Sequence, residues 1–373
     1  MSRGARRARP KRARGASRLG ERVEVEVGPV AHGGHCVART EAGRVVFVRH
    51  AIPGERVVAE ITEGSDGDRF WRGDAVSVLV SSPDRVEPPC PHAGPDLCGG
   101  CDFQHVALER QRGLKAAVVR EQLQRLAGLD QHDRRVADLV VEPVPGDEEG
   151  LRWRTRQRYV ELPGGGRGMR KHRSHDVVEI VDCKIEGGEP SYVVAGHVFD
   201  LAHGVFWQVH PGAAAVLVDT VLCLLAPQPG ESALDLYAGV GLFTRFLLDA
   251  VGESGRVVAV EGDRIASALA VTNCPGAEIA CGAVEMVLAA AYDRPVDLVV
   301  LDPPRAGAKR AVVEQVVARA PRAVAYVACD PAALARDVAI FAEHGYRLER
   351  LRAFDLFPMT HHVECVALLV REG

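Results

Sequence analysis

From residue 206 to the C-terminus, short apolar runs alternate with helical stretches, and this rhythm leaves few folds open. The runs fall at residues 233–237, 257–260, 278–280, 296–301, 323–327, 346–350 and 362–370. Buried strands separated by helix-length segments predict a doubly wound, seven-stranded α/β sheet of Rossmann-like type. Such sheets collect ligands outside the carboxyl ends of their strands. The residues that end each run are therefore the first candidates for chemistry.

The first run closes on Leu234-Asp235-Leu236-Tyr237-Ala238-Gly239-Val240-Gly241, a strand ending in a glycine turn that lets backbone approach a ligand closely. The second ends in Glu261, placed to accept hydrogen bonds from two ribose hydroxyls. A three-glycine dinucleotide fingerprint is missing, which disfavours a pyrophosphate and leaves a nucleoside cofactor such as S-adenosylmethionine. The fourth run ends Asp302-Pro303-Pro304-Arg305, a carboxylate stiffly placed at the cofactor edge. Methyltransferases of exocyclic amines use a similar acid-Pro-Pro turn, so that chemistry is an alternative.

The fifth run delivers Cys329 to the sheet edge, followed by Asp330 as helix N-cap and Pro331 at the first helical position. The positive helix end is expected to lower the thiol pKa, with the Asp330 charge opposing it. Glu364 stands in an otherwise apolar strand, where burial raises a carboxylate toward the range of a general base. Cys329 and Glu364 together suit methylation of an electron-poor ring carbon. The thiolate adds to carbon 6 of uracil, carbon 5 takes the methyl group, and the base removes the carbon 5 proton.

Upstream, residues 20–82 alternate in period two between glycine-rich turns, which predicts a small OB-like β-barrel. Residues 83–205 are irregular apart from a helix near 107–127 and a predicted basic strand. In that strand Arg152, Arg154, Arg156 and Arg158 would share one face, with Trp153 and Tyr159 on the other. Residues 151–175 hold eight Arg or Lys and one acid, and residues 1–22 hold nine Arg or Lys against one Glu, although the chain's net charge is −4. The 151–175 segment is expected to meet RNA. The first 19 residues are expected to form a disordered arm that suits a nucleic-acid backbone or serves as a solubilising tail with no fixed partner.

Ten cysteines in a chain expected to be cytoplasmic point to metal or catalysis over disulfides. Cys90, Cys98 and Cys101 cluster and Cys183 stands apart, whereas Cys36, Cys223, Cys274, Cys281 and Cys365 read as small core residues. No run reaches the ~18 apolar residues of a membrane span, and the first residues lack a signal-peptide core.

These segments closely resemble the uracil-5 RNA methyltransferases of the RumA/TrmA type. The resemblance is carried by Cys98-Gly99-Gly100-Cys101-Asp102-Phe103-Gln104-His105, Phe206-Trp207-Gln208-Val209, the stretches 235–241, 302–307 and 326–337, and Phe357-Pro358-Met359-Thr360-His361-His362-Val363-Glu364. Pro53-Gly54-Glu55 resembles the signature turn of a TRAM domain. The resemblance implies Cys329 as nucleophile and Glu364 as base. It implies Gln208, Tyr237, Gly239, Glu261 and Asp302 as contacts to S-adenosyl-L-methionine, and a 4Fe-4S cluster on Cys90, Cys98, Cys101 and Cys183. Four thiolates would equally suit structural zinc.

The expected organisation is a basic arm (1–19), a TRAM barrel (20–82), a central iron–sulfur and RNA-binding domain (83–205) and a methyltransferase domain (206–373). The expected substrate is structured RNA, ribosomal or transfer, with no membrane and no obligate protein partner, the chain acting as a monomer. An inactive RNA-binding iron–sulfur protein is the remaining alternative. The chain departs from the family pattern in its Cys-x7-Cys spacing, in Asp330 where Asn is usual, and in His210 where Asn is usual.

Overall fold

The computed structural model describes residues 15–372. Most of the basic arm, residues 1–14, lies outside the described residues. By its contacts the chain divides into two compact units, residues 1–107 with 170–176, and residues 108–169 with 177–373. The expected central region is thus shared between them.

The first unit is a closed five-stranded barrel. Its strands Arg22–Val30, Cys36–Arg39, Val45–Arg49, Phe70–Val80 and Arg56–Glu63 neighbour one another in that order. Period-two alternation sends Val25, Val27, Val46, Val48, Val57, Ala59 and Ile61 into the barrel core. The 53–55 turn has a physical reason for its acid. Gly54 takes the left-handed region at φ 91°, and the fully buried Glu55 carboxylate accepts from Ile52 N at 2.8 Å and Ser82 N at 3.0 Å. Arg85 adds a bidentate pair at 2.6 Å to each oxygen.

The second unit is built on an eight-stranded sheet. Its order is Glu278–Cys281, Arg256–Glu261, Ser232–Leu236, Leu298–Leu301, Ala323–Ala328, Glu364–Arg371, Tyr346–Asp355 and Val141–Pro143. All seven expected strands are present. The eighth, only three residues long, pairs in parallel with the end of Tyr346–Asp355. Glu364–Arg371 is antiparallel to both neighbours, whereas the pairings from Glu278–Cys281 through Ala323–Ala328 are parallel. Strand order reverses between Ser232–Leu236 and Leu298–Leu301, the switch point where such sheets open a crevice.

Leu108–Ala127, expected as part of the central region, packs against the helix Pro331–Glu343. Ala116, Val119 and Leu123 join Leu334, Ala335 and Val338 in one buried cluster.

The expected basic strand does not form. Arg152 takes φ 54°, outside strand geometry. Its guanidinium donates to Asp182 at 2.9 Å and to the carbonyls of Cys183 and Glu186. Arg154 lies over the Trp153 ring at 5.7 Å, and Arg156 donates to Val205 O at 2.7 Å. Local acceptors disperse these arginines instead of aligning them on one face.

Candidate active site

The carboxyl ends of the parallel strands place Tyr237, Glu261, Asp302 and Cys329 along one edge of the sheet. The antiparallel last strand begins at that same edge. Because Ala328 pairs with Cys365, the next residue of each strand, Cys329 and Glu364, meets the other there.

The glycine turn is held in place by its neighbours. Tyr237 and Gly239 take φ values of 66° and 57°. No atom lies within 4 Å of where a Gly239 side chain would begin, which leaves that backbone open to a ligand. Gly241, at φ 94°, is pressed so close to Cys274 that a Cβ would fall 2.3 Å from its sulfur. Asn273 donates to Val240 O at 2.9 Å. Glu261 accepts from Gly239 N at 2.7 Å and Asp263 N at 2.6 Å, tying the second strand end to the turn. Gln208 is half-buried on the loop before the helix Ala213–Leu225.

Asp235 is a candidate contact that the sequence reading does not single out. It is fully buried, accepts from Thr244 Oγ1 at 2.5 Å through Oδ2, and leaves Oδ1 without a partner. A buried carboxylate oxygen left without a partner beside a glycine turn can accept from a ligand, and its sequence signal is its place in the strand before that turn.

The electrostatics are dominated by carboxylates. Burial raises Asp235 to about 6, with Glu261 adding to the shift. Asp302 is raised to about 7 by burial, then by Asp235 and Glu261. Glu364 is pushed well above the ordinary carboxylate range by burial and by Asp302, against the opposing charge of Arg305. A chain of mutually repelling carboxylates thus runs along the strand ends.

The expectation for the thiol is corrected. Cys329 is raised to about 12, first by burial, then by Glu364, with Asp302 and Asp330 adding and Arg305 opposing. Asp330 does cap the following helix, accepting from Ala333 N at 2.8 Å, but the helix end does not outweigh burial and the surrounding acids.

The cysteine expectations divide. Gly100 N donates to Cys98 Sγ and Gln104 Nε2 to Cys101 Sγ, both at 3.4 Å. Cys90, Cys98 and Cys101 belong to the barrel unit and Cys183 to the other. Among the described residues no group of three or more His, Cys, Asp or Glu side chains is placed to hold a metal ion. The expected 4Fe-4S cluster is therefore not supported, nor is zinc in its place, and no step below uses either. Cys36, Cys274 and Cys365 are buried as expected, but Cys223 and Cys281 are exposed. No described helix is long and apolar enough to cross a membrane.

Residues 16–76 match the TRAM domain family, and residues 287–372 match the tRNA (Uracil-5-)-methyltransferase family. A Streptomyces avermitilis protein named as an RNA methyltransferase is 44% identical over 94% of this chain and 98% of its own length. The 23S rRNA (uracil(1939)-C(5))-methyltransferase RlmD of Alkalilimnicola ehrlichii is 30% identical over 95% of this chain and 97% of its own. Among solved structures, the Pyrococcus abyssi tRNA (uracil-54, C5)-methyltransferase in complex with S-adenosyl-L-homocysteine superposes with a TM-score of 0.65. That match covers 92% of this chain and 99% of the other at 21% identity, a likeness of fold.

Proposed function

This chain belongs to the S-adenosylmethionine-dependent RNA (uracil-5-)-methyltransferases, and we propose that it methylates a uridine of structured ribosomal RNA through a covalent adduct to Cys329. The observation that carries the adduct is the antiparallel register that sets Cys329 against a buried Glu364 at the cofactor edge.

Gln208, Tyr237, Gly239, Glu261 and Asp302, joined by Asp235, are assigned to the cofactor. S-adenosylmethionine supplies an electrophilic methyl group on a sulfonium, together with an ammonium. The row of carboxylates fits such a cation, because its charge offsets repulsion that otherwise raises Asp302 and Glu364. The same charge favours ionisation of the Cys329 thiol, which is otherwise neutral near pH 7.

The target base leaves its stack to reach this edge. Cys329 loses its proton to a neighbouring carboxylate or to solvent and forms the Sγ–C6 bond, moving electron density to carbon 5. Carbon 5 takes the methyl group, and the sulfur–methyl bond breaks with neutralisation of the sulfonium. Glu364 then removes the carbon 5 proton, the Sγ–C6 bond breaks, and the thiolate is restored.

The RNA is assigned to the barrel as well as to the second unit. The barrel unit carries a groove of about 1090 Å³ lined by Phe47, Arg49, Arg72, Lys171, His172 and Arg173 among others. Phe47 and Phe70 meet edge-on at 5.1 Å, with Arg72 over the Phe70 ring at 4.8 Å. Aromatic faces beside cations suit an unpaired stretch of nucleic acid. Tritiated S-adenosylmethionine incubated with unmodified transcripts of 23S rRNA and of tRNA tests the proposal. It predicts 5-methyluridine in the ribosomal transcript; methyladenosine or methylguanosine would indicate the exocyclic-amine reaction instead.

A further inference from the structure

We infer that Gln111 and Lys115, on the helix Leu108–Ala127, are positioning residues that hold the proton acceptor in register with the nucleophile. The inference rests on the assignment of Glu364 as base. Both side chains are buried, at 0% and 1% exposure, on a helix otherwise rich in surface charge. Their spacing of four residues puts them one above the other on a single helical face.

That face meets the segment from Asp355 to Met359, which leads into Glu364. Lys115 Nζ donates to Asp355 Oδ1 at 2.5 Å and to Phe357 O at 3.0 Å. Gln111 Oε1 accepts from Met359 N at 2.8 Å, and Gln111 Nε2 donates to Met359 Sδ at 3.2 Å. Met359 sits at φ 66°, an uncommon conformation for a side-chain-bearing residue that surrounding contacts must maintain. Opposite, Gly150 approaches so closely that a Cβ would lie 3.1 Å from Met359 Cε and 3.2 Å from Pro358 Cβ. Trp153 meets the Phe357 ring edge-on at 6.0 Å. The turn that leads into Glu364 is therefore gripped from two sides.

The same helix packs on Pro331–Glu343, whose N-terminus follows Cys329. One rigid element thus touches both the helix behind the nucleophile and the turn ahead of the base. A buried Lys–Asp pair is seldom better for stability than an apolar pair of equal volume. Here it also leaves Asp355 Oδ2 without a partner. What the pair and Gln111 contribute is a fixed geometry: they set where the Glu364 carboxylate stands relative to carbon 5 of the adduct.

The test separates this inference from the assignment it rests on. Full-length protein is mixed with S-adenosylmethionine and unmodified 23S rRNA transcript, and the denaturation-resistant protein–RNA adduct is followed with time. Glu364→Gln should accumulate methylated adduct, since the carbon 5 proton has no acceptor. Gln111→Leu should accumulate the same species and release it about ten-fold more slowly than wild type, with the KM for S-adenosylmethionine within two-fold. Gln111→Glu, which restores an acceptor for Met359 N, should recover most of the release rate. Release from Gln111→Leu at the wild-type rate, while Glu364→Gln traps, overturns the inference and leaves the base assignment standing. Failure of Glu364→Gln to trap overturns both. Adduct formation itself requires a folded site, so a variant that does not fold is recognised by its absence. Gln111→Asn, one methylene shorter, then takes its place: slowed release supports the inference, and release at the wild-type rate overturns it.

Discussion

Glu364 stands one residue before Cys365, whose backbone pairs with Ala328, so the acid and Cys329 leave adjacent antiparallel strands at the same end of the sheet. Thirty-four residues of chain lie between them, and strand register brings them to the same end of adjacent strands. A slip of one residue would turn Glu364 to the other face of the sheet.

Replacing the base should stall the reaction after methyl transfer. Glu364→Gln keeps the side chain's size and lowers turnover by about 10²–10⁴-fold, the ordinary worth of a general base. Rapid-quench analysis should show the methyl group on RNA still attached to protein.

The thiol should be unreactive in the protein without cofactor. With Cys329 raised to about 12, alkylation by iodoacetamide should keep accelerating beyond pH 9, where an ordinary cysteine has levelled off. Asp302→Asn removes one of the negative neighbours and should speed alkylation at pH 8 several-fold. Mass spectrometry of the peptide carrying Cys329 measures both.

Stability without cofactor should fall as pH rises through the weakly acidic range. Asp235 has a folded pKa of about 6, above its ordinary 3.8, so folding favours its neutral form. The protein is then most favoured below pH ~4 as regards this group, and loses on the order of 2–3 kcal/mol as pH climbs past 6. Asp302, raised to about 7, shifts stability in the same direction. Thermal unfolding from pH 4.5 to 8 should show Tm declining in wild type and declining less in Asp235→Asn.

Asp337 should prove essential to the Asp302 loop. Its Oδ2 accepts from Tyr326 OH at 2.5 Å and Ala308 N at 2.7 Å, and both oxygens accept from Lys309 N at 3.2 Å. Asp337→Ala strands the Tyr326 hydroxyl and Lys309 N, while Ala308 N keeps Tyr326 OH at 3.0 Å, and should cost about 2–3 kcal/mol. Tyr326→Phe, which removes one donor and leaves the amides paired, should cost about 1 kcal/mol. Urea unfolding at constant slope distinguishes the two.

What sequence could reveal here followed from burial on both faces. Strands such as Leu298–Leu301 and Ala323–Ala328 are wholly buried, so continuous apolar runs announce them. Val141–Pro143 is three residues on a sheet edge and carries no such signal. The arginines at alternate positions from 152 to 158 resemble a strand because spacing cannot show that Asp182 and nearby carbonyls each claim a guanidinium. The direction of the Cys329 shift is hidden for a similar reason. The helix behind it is visible in Asp330-Pro331, but the acids that surround the sulfur converge from strand ends as distant as Asp302 and Glu364. Gln111 and Lys115 read as ordinary helix residues, since only the fold brings the 355–359 segment onto them. The spacing of Cys90, Cys98, Cys101 and Cys183 suggests a metal centre that the arrangement of the described side chains does not support.

The covalent step is tested most sharply by capture on a transcript in which 5-fluorouridine replaces uridine. Fluorine at carbon 5 cannot be removed as a proton, so the adduct formed after methyl transfer cannot resolve. A Cys329 nucleophile predicts a denaturation-resistant protein–RNA complex that requires S-adenosylmethionine, with peptide mapping placing the bond on Cys329, and no complex from Cys329→Ala. Undiminished 5-methyluridine formation by Cys329→Ala, with no adduct through that sulfur, would contradict it.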